Sequence, residues 1–361
     1  MSAPGFAYVS PAMDEWSQSL GWGPDFEAAM APHASRGLLP ARVTLVYRKQ
    51  LKVLSQRGEH WARTGGSLLH KAYSAEELPA VGDWVAARIP DAGEALVHAV
   101  LPRRSAFIRK VPGDTAAPHV LAANIDTVLV VMGLDGDFNL RRLERFLTLA
   151  WESKAAPVVV LNKKDVAVEL EEKLRAAHDV ARDTPIHAVS ALTCEGLEPL
   201  AALVSYGRTV ALLGSSGVGK STLVNHLVGQ EVMATGTVRA DGRGRHTTSR
   251  RELLLLPTGG AVIDTPGLRE VQMWTAQDGL ARTFDDIEAL TKTCRFSDCR
   301  HDAEPGCAVK AALADGSLPQ SRYESWLELE REMAWLARPQ ATRGRPESKR
   351  RERVGHGTRR K

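Results

Sequence analysis

The sequence predicts an α/β protein: a mostly parallel sheet covered on both faces, with a small β-barrel before it and a mainly helical segment after it. Three observations carry this reading. Between residues 39 and 115, strand-like runs (ARVTLVYR, KVLSQRG, GDWVAARI, ALVHAVL) recur at close spacing with Gly, Pro and Asp turns between them, the signature of a small barrel. From about residue 120, apolar strand runs alternate with amphipathic helical runs, as in a sheet sandwiched between helices. Beyond Leu268 the periodicity is helical around three closely spaced cysteines.

A chain of 361 residues suffices for two or three domains, since single cores rarely grow past ~250 residues. Its 43% hydrophobic and 25% charged residues are ordinary for a soluble protein. No apolar run approaches the ~20 residues of a membrane span, and the N-terminus lacks the basic and apolar regions of a secretory signal. A cytoplasmic protein with no membrane partner is therefore expected, working as a monomer. The charge is uneven. From Arg338 to Lys361 ten Lys or Arg face two Glu, a formal +8, so the rest of the chain carries −4 of the total +4. Such an arm either binds a polyanion such as nucleic acid or serves as a solvated tail.

Residues 1–38, rich in Pro, Gly, Ala and Ser with one helical candidate at PDFEAAMA, read as a loosely attached extension. Residues 39–115 read as the barrel. Its basic residues (Arg48, Lys49, Lys52, Arg103, Arg104, Arg109, Lys110) suit an RNA-binding surface and equally an unspecialised strand surface. Residues 116–272 carry the strand–helix alternation: IDTVLVVMG, NLRRLERFLTLAWES, APVVVLNKKD, VELEEKLRAAHDVA, PIHAVSA, RTVALLG, a helix at KSTLVNHLVG, then a hairpin RELLLLP-TGG-AVIDTPG. Residues 273–337 read as helical, and 338–361 as a basic tail too polar to fold alone.

The strongest motif is Gly214-Ser215-Ser216-Gly217-Val218-Gly219-Lys220-Ser221, followed by Thr222, between an apolar strand and a helix. Glycines let backbone N–H groups converge on phosphate oxygens, and the helix N-terminus favours negative charge. Lys220 is expected to reach the β- and γ-phosphates and Ser221 to ligate Mg²⁺. Downstream, Asp264-Thr265-Pro266-Gly267 closes a strand. There Asp264 can hold Mg²⁺ through water, and the Gly267 amide can sense the γ-phosphate. Between them lies GRGRHTTSR, where Thr247 or Thr248 is the candidate to close over Mg²⁺. The same stretch also reads as a polar loop or an RNA-contacting arginine segment.

Asn162-Lys163-Lys164-Asp165 ends an earlier strand and Ser190-Ala191-Leu192 the next. A carboxylate at Asp165 accepts from both guanine N1–H and the 2-amino group, whereas adenine would leave it unpaired. Asn162 is expected to face N7, the Lys163 stem to lie over the ring, and the Ala191 amide to meet O6. The order of segments is thus base-reading, base-supporting, phosphate loop, switch, Asp-Thr-Pro-Gly: a guanine-nucleotide site in circularly permuted order. Cys294-x4-Cys299-x-His301-x5-Cys307 supplies three thiolates and an imidazole, the complement of a closed tetrahedral zinc site. Cys194 reads as an unspecialised thiol.

With NKKD, SAL, GSSGVGKST, GRHTT, DTPG and this Cys/His cluster in that order, the chain resembles the ribosome small-subunit-dependent GTPases known as RsgA or YjeQ. The resemblance covers roughly residues 38 to 335. It implies an OB-type barrel, a circularly permuted P-loop GTPase domain and a zinc-binding helical domain. It also implies late maturation of the small ribosomal subunit as the role, with rRNA and subunit proteins as partners and GTP hydrolysis to GDP stimulated by the subunit. Leu268 follows Gly267 where many GTPases place a water-orienting Gln, so unassisted hydrolysis is expected to be slow. His246 is the candidate to position the water, or else an RNA- or phosphate-contacting residue. The rival readings are a small-molecule kinase and an RNA-binding assembly factor whose nucleotide site is only a slow switch. Gly267 lies 27 residues before Cys294, so switch movement is expected to swing the zinc domain.

Overall fold

Strand β1 (Leu39–Tyr47) belongs to two structures at once. Its first half pairs antiparallel with β4 (Trp84–Arg88), Arg42 opposite Trp84. Its second half pairs with β12 (Arg251–Leu255), Leu45 opposite Glu252. On its other side β1 pairs with β2 (Gln50–Ser55), and the register shifts between Val43 and Leu45. A bulge of this kind bends a strand and sharpens its twist, so β1 can close a barrel at one end and extend an open sheet at the other. The computed structural model describes residues 15–47, 50–110, 118–229, 251–257, 259–264, 277–302 and 304–337.

The barrel runs β1-β2-β3-β5-β4 and back to β1, with β3 at Gly58–Thr64 and β5 at Ala95–Val100. Val43, Val53, Ala62, Val85 and Val97 fill its interior, the inward set of alternating strand positions. A helix α3 (Gly66–Lys71) follows β3, and a hairpin of β6 (Ala106–Lys110) and β7 (Pro118–Ala123) leads out of the barrel.

The remaining sheet runs β10 (Ile186–Ala188), β9 (Ala156–Asn162), β8 (Thr127–Gly133), β11 (Thr209–Leu213), β13 (Ala261–Asp264), β12. The first five are mutually parallel, and β12 returns antiparallel to β13 as the expected hairpin. Along β8, Val128, Val130 and Met132 enter one core while Leu129 and Val131 enter the other. Both faces are covered, which is why the strand is apolar at each position from Val128 to Met132 rather than at alternate ones. Helices α4 (Leu140–Glu152) and α5 (Leu170–Ala181) pack on the first face; α6 (Glu198–Leu203) and α7 (Lys220–Val228) pack on the second.

One expectation is corrected by the N-terminal helices. The segment before residue 38 is not loosely attached from Glu15 onward. Helices α1 (Glu15–Ser19) and α2 (Pro24–Ala34) press Leu20, Trp22, Phe26 and Met30 against Trp84 of the barrel. Arg42, 1% exposed, donates to the carbonyls of Leu20, Gly82 and Asn124, so it ties the extension, the barrel and the start of β8 together. Burial draws its pKa down to about 10, with the charges of Asp126 and Asp83 offsetting only part of this. The Ser19 carbonyl accepts from both Gly207 and Gly260, extending the clamp to the open sheet.

The C-terminal helices are α8 (Gln277–Thr283), α9 (Asp285–Lys292), α10 (Ala308–Asp315) and α11 (Gln320–Ala337). They do not hang from the switch end alone. Phe284, Ile287, Val309, Trp326 and Leu329 share one core with Leu143, Phe146 and Leu147 of α4. Arg322, 7% exposed, donates to Glu144 at 3.0 Å and to both oxygens of Asp286 at 2.6 and 2.9 Å. Burial raises the Asp286 carboxyl, but the Arg322 hydrogen bonds outweigh it and hold it below the usual range. Arg145 forms a two-pronged pair with Glu332 at 2.6 and 2.8 Å. A swing of this unit independent of α4 would expose shared core and separate buried charges.

Candidate functional site

The ends of β8, β9 and β11, with the turn after β10, converge on one edge of the sheet. Ligand sites in such folds lie at the carboxyl ends of parallel strands. Asn162, 2% exposed, is the last residue of β9. Its Nδ2 donates to the Val218 carbonyl of the phosphate loop at 2.8 Å, and its Oδ1 accepts from the Ala191 amide at 2.9 Å. One side chain therefore joins all three motifs. Asn162 and the Ala191 amide, expected to meet N7 and O6 of the base, are thus neighbours at this junction. The approach is close: a Cβ on Gly219 (φ +96°) would lie 2.2 Å from Asn162 Nδ2, so only glycine fits.

Lys163 takes a left-handed conformation, φ +68°, which turns the chain sharply out of β9. Its Nζ lies 2.6 Å from Asp135 Oδ2. Lys164 faces the other way and pairs with Glu195 at 2.5 Å. Asp165 Oδ1 accepts from Ser190 Oγ at 2.5 Å, and Ser190 Oγ in turn accepts from the Thr193 amide. This leaves the second carboxylate oxygen for a ligand. Leu192 is 79% exposed and contributes no buried wall. Cys194 is exposed, its Sγ 3.8 Å from His226 Nδ1.

In the phosphate loop Gly214 has φ +155°, and a Cβ there would meet the Val131 carbonyl at 2.2 Å. Val218 is buried, while Ser216 and Gly217 are exposed. Lys220 Nζ donates to the Gly214 carbonyl at 2.7 Å and to that of Ser215, so the ammonium sits inside the loop it is expected to serve. Ser221 and Thr222 open α7, partly exposed. Asp264 ends β13 beside β11. His246, Thr247, Thr248 and Gly267 lie outside the described residues, as does the basic tail.

Sequence reading missed a further strip of the site. Asn139 caps α4 by accepting from the Arg142 amide at 2.9 Å. Arg142 then donates to Ser215 Oγ of the phosphate loop at 2.8 Å and pairs with Asp137. The signal available was the charged run Asp135-Gly-Asp137 directly after a strand that lies between the two motif strands.

Among the C-terminal helices, Cys294, Cys299, His301 and Cys307 gather with their ligand atoms all within 4.8 Å of one another. Cys294 Sγ and Cys307 Sγ stand 4.0 Å apart, and they lie 3.6 and 3.4 Å from His301 Nδ1. With metal–sulfur bonds of about 2.3 Å, the edges of a tetrahedron are about 3.8 Å long, so these spacings fit one tetrahedral ion. A left-handed His301 and Gly306 shape the turn, and the Arg295 amide donates to the Gly306 carbonyl to close it.

Comparison with known proteins agrees with this geometry. The sequence model of the RsgA GTPase family matches residues 100–274. A protein named small ribosomal subunit biogenesis GTPase RsgA from Opitutus terrae is 50% identical over 331 residues, covering 89% of this chain and 90% of the relative. Its namesake from Streptomyces avermitilis is 46% identical, covering 86% and 84%. Among solved structures, YjeQ from Thermotoga maritima superposes with TM-score 0.62 at 26% identity, over 84% of this chain and all of that one. YloQ, described as a circularly permuted GTPase, superposes with TM-score 0.58 at 24% identity, over 84% and 97%, and speaks to the fold.

Proposed function

The chain belongs to the RsgA GTPase family, from which we infer that it hydrolyses GTP and acts in the biogenesis of the small ribosomal subunit. The observation that carries the nucleotide assignment is Asn162, whose two side-chain atoms bind the base-side turn and the phosphate loop into one site. The permutation then has a simple meaning. The base-reading strands β9 and β10 precede the phosphate strand β11 in the chain, yet all three lie in a single parallel sheet.

In this reading Asp165 pairs with guanine, the Lys163 stem covers the ring, and Ser190, Ala191 and Lys164 with Glu195 shape the turn. Gly214 to Gly219 cradle the phosphates. Lys220, released from the loop carbonyls, meets their charge, and Ser221, Thr222, Asp264, Gly267 and Thr248 surround the γ-phosphate end. Mg²⁺ bound with GTP neutralises phosphate charge. Cys294, Cys299, His301 and Cys307 would hold zinc as a structural ion. Elemental analysis should then find one zinc per chain, falling to near zero in Cys294→Ser/Cys307→Ser; full metal content in that double variant contradicts the assignment.

With Leu268 after Gly267, the attacking water lacks its usual partner, and His246 takes the role. His246→Ala should bind GTP with unchanged affinity and lose most of the turnover that added small subunits stimulate, by about 100-fold. Retained stimulation in the variant would remove His246 from the mechanism. Absence of any stimulation in the wild-type protein would overturn the ribosomal role itself. We further propose a monomer in which the barrel and basic tail contact RNA, making co-sedimentation with subunits fall steeply as salt rises.

A further inference from the structure

We infer that Asp135, in the loop between β8 and α4, is a positioning residue that sets nucleotide affinity by holding Lys163 over the base. The inference rests on the nucleotide site proposed above and adds a residue that its motifs do not contain.

The placement begins with strand register. Gly133, the end of β8, stands opposite Asn162, and the Leu134 amide donates to the Asn162 carbonyl at 2.8 Å. Two residues on, Asp135 therefore arrives beside Lys163. Its Oδ2 lies 2.6 Å from Lys163 Nζ, while its Oδ1 accepts from the Asp137 amide at 3.2 Å. The carboxylate is thus fixed from its own loop before it meets the lysine. Gly133 is part of the arrangement, since a Cβ there would lie 2.4 Å from Asp135 Oδ1. Burial raises the Asp135 carboxyl, but Lys163 and the Asp137 amide outweigh it and hold it below its usual range.

A free lysine side chain loses rotamer entropy when it is ordered. Asp135 orders Lys163 before the ligand arrives, so binding no longer carries that cost. The ring face contacted by an aliphatic stem is common to all purines. Losing Asp135 should therefore weaken every purine triphosphate equally, without touching the discrimination that Asp165 provides.

The test is steady-state turnover of GTP and inosine triphosphate, stimulated by small subunits, at low and high salt. Asp135→Ala should raise KM for both nucleotides by the same factor, roughly three- to tenfold, with kcat unchanged. Asp135→Glu should recover part of the loss. The wild-type advantage should shrink at high salt, because the pair is partly exposed, at 30% and 34%. Asp135→Asn keeps the shape of the loop and replaces the alanine variant should that one melt early; it too should raise both KM values. An unchanged KM, a fall in kcat matching the fall in kcat/KM, or a changed ratio between the two nucleotides overturns the inference. A wild-type protein that turns over ATP as well as GTP overturns the underlying site assignment instead.

Discussion

Asp165→Asn is expected to cost the protein its affinity for GTP by at least about 100-fold and to create affinity for xanthosine triphosphate. The structure says which atom changes. Ser190 Oγ donates to Asp165 Oδ1 at 2.5 Å, so the variant's amide should keep its carbonyl oxygen on Ser190 and turn its NH₂ toward the base. An NH₂ there meets the N1–H and 2-amino donors of guanine with a third donor, leaving all of them unpaired in a desolvated site. Xanthine presents a carbonyl at position 2 and accepts that donor. Competition of GTP and xanthosine triphosphate against a fluorescent nucleotide reads both effects. Undiminished GTP affinity in the variant would remove Asp165 from base recognition.

Arg322→Ala should be the most destabilising single change in the C-terminal helices. It would leave Glu144, 3% exposed, facing Asp286 without the cation between them. Removing one partner of a buried charge network costs about 3–5 kcal/mol. Burial already raises the Glu144 carboxyl, with Ser325 and Arg322 offsetting only part of this, so the orphaned acid is expensive to keep ionised. Arg322→Met combined with Glu144→Gln should recover part of the loss, because the charge of Glu144 goes with its partner while Asp286, less buried, keeps its own. Thermal unfolding of the three proteins decides this; equal melting of Arg322→Ala and wild type would contradict it. The same network joins the Cys/His unit to α4, whose Arg142 touches the phosphate loop, so that helix is the physical link between them.

The candidate nucleotide site was legible in the sequence because its motifs are local. The phosphate loop and the NKKD and SAL turns each sit at a strand end that apolar periodicity locates. The Cys/His cluster was legible for the same reason, lying within fourteen positions. What escaped is non-local. The pairing of β1 with β12 joins residues about 200 apart through a bulge at Val43–Leu45, and no periodicity marks such a junction. Strand β3 was hidden because GEHWART has a single fully buried side chain, Ala62. The clamp of α1 and α2 was masked by Gly and Pro around Trp16, Trp22 and Phe26, although those aromatics carried the signal. Asp135 depends on the register of Gly133 with Asn162, which becomes known only once the sheet is built.

In the proposed function, two motif groups written in inverted order form one guanine-selective site. This is tested most directly by the relative affinity of the full chain for GTP and ATP with Mg²⁺, measured by competition at equilibrium. A preference for GTP of at least about 100-fold is expected, since adenine leaves Asp165 unpaired. Equal affinity for the two nucleotides would mean that the phosphate loop works alone and that Asn162 joins it to a turn which reads no base.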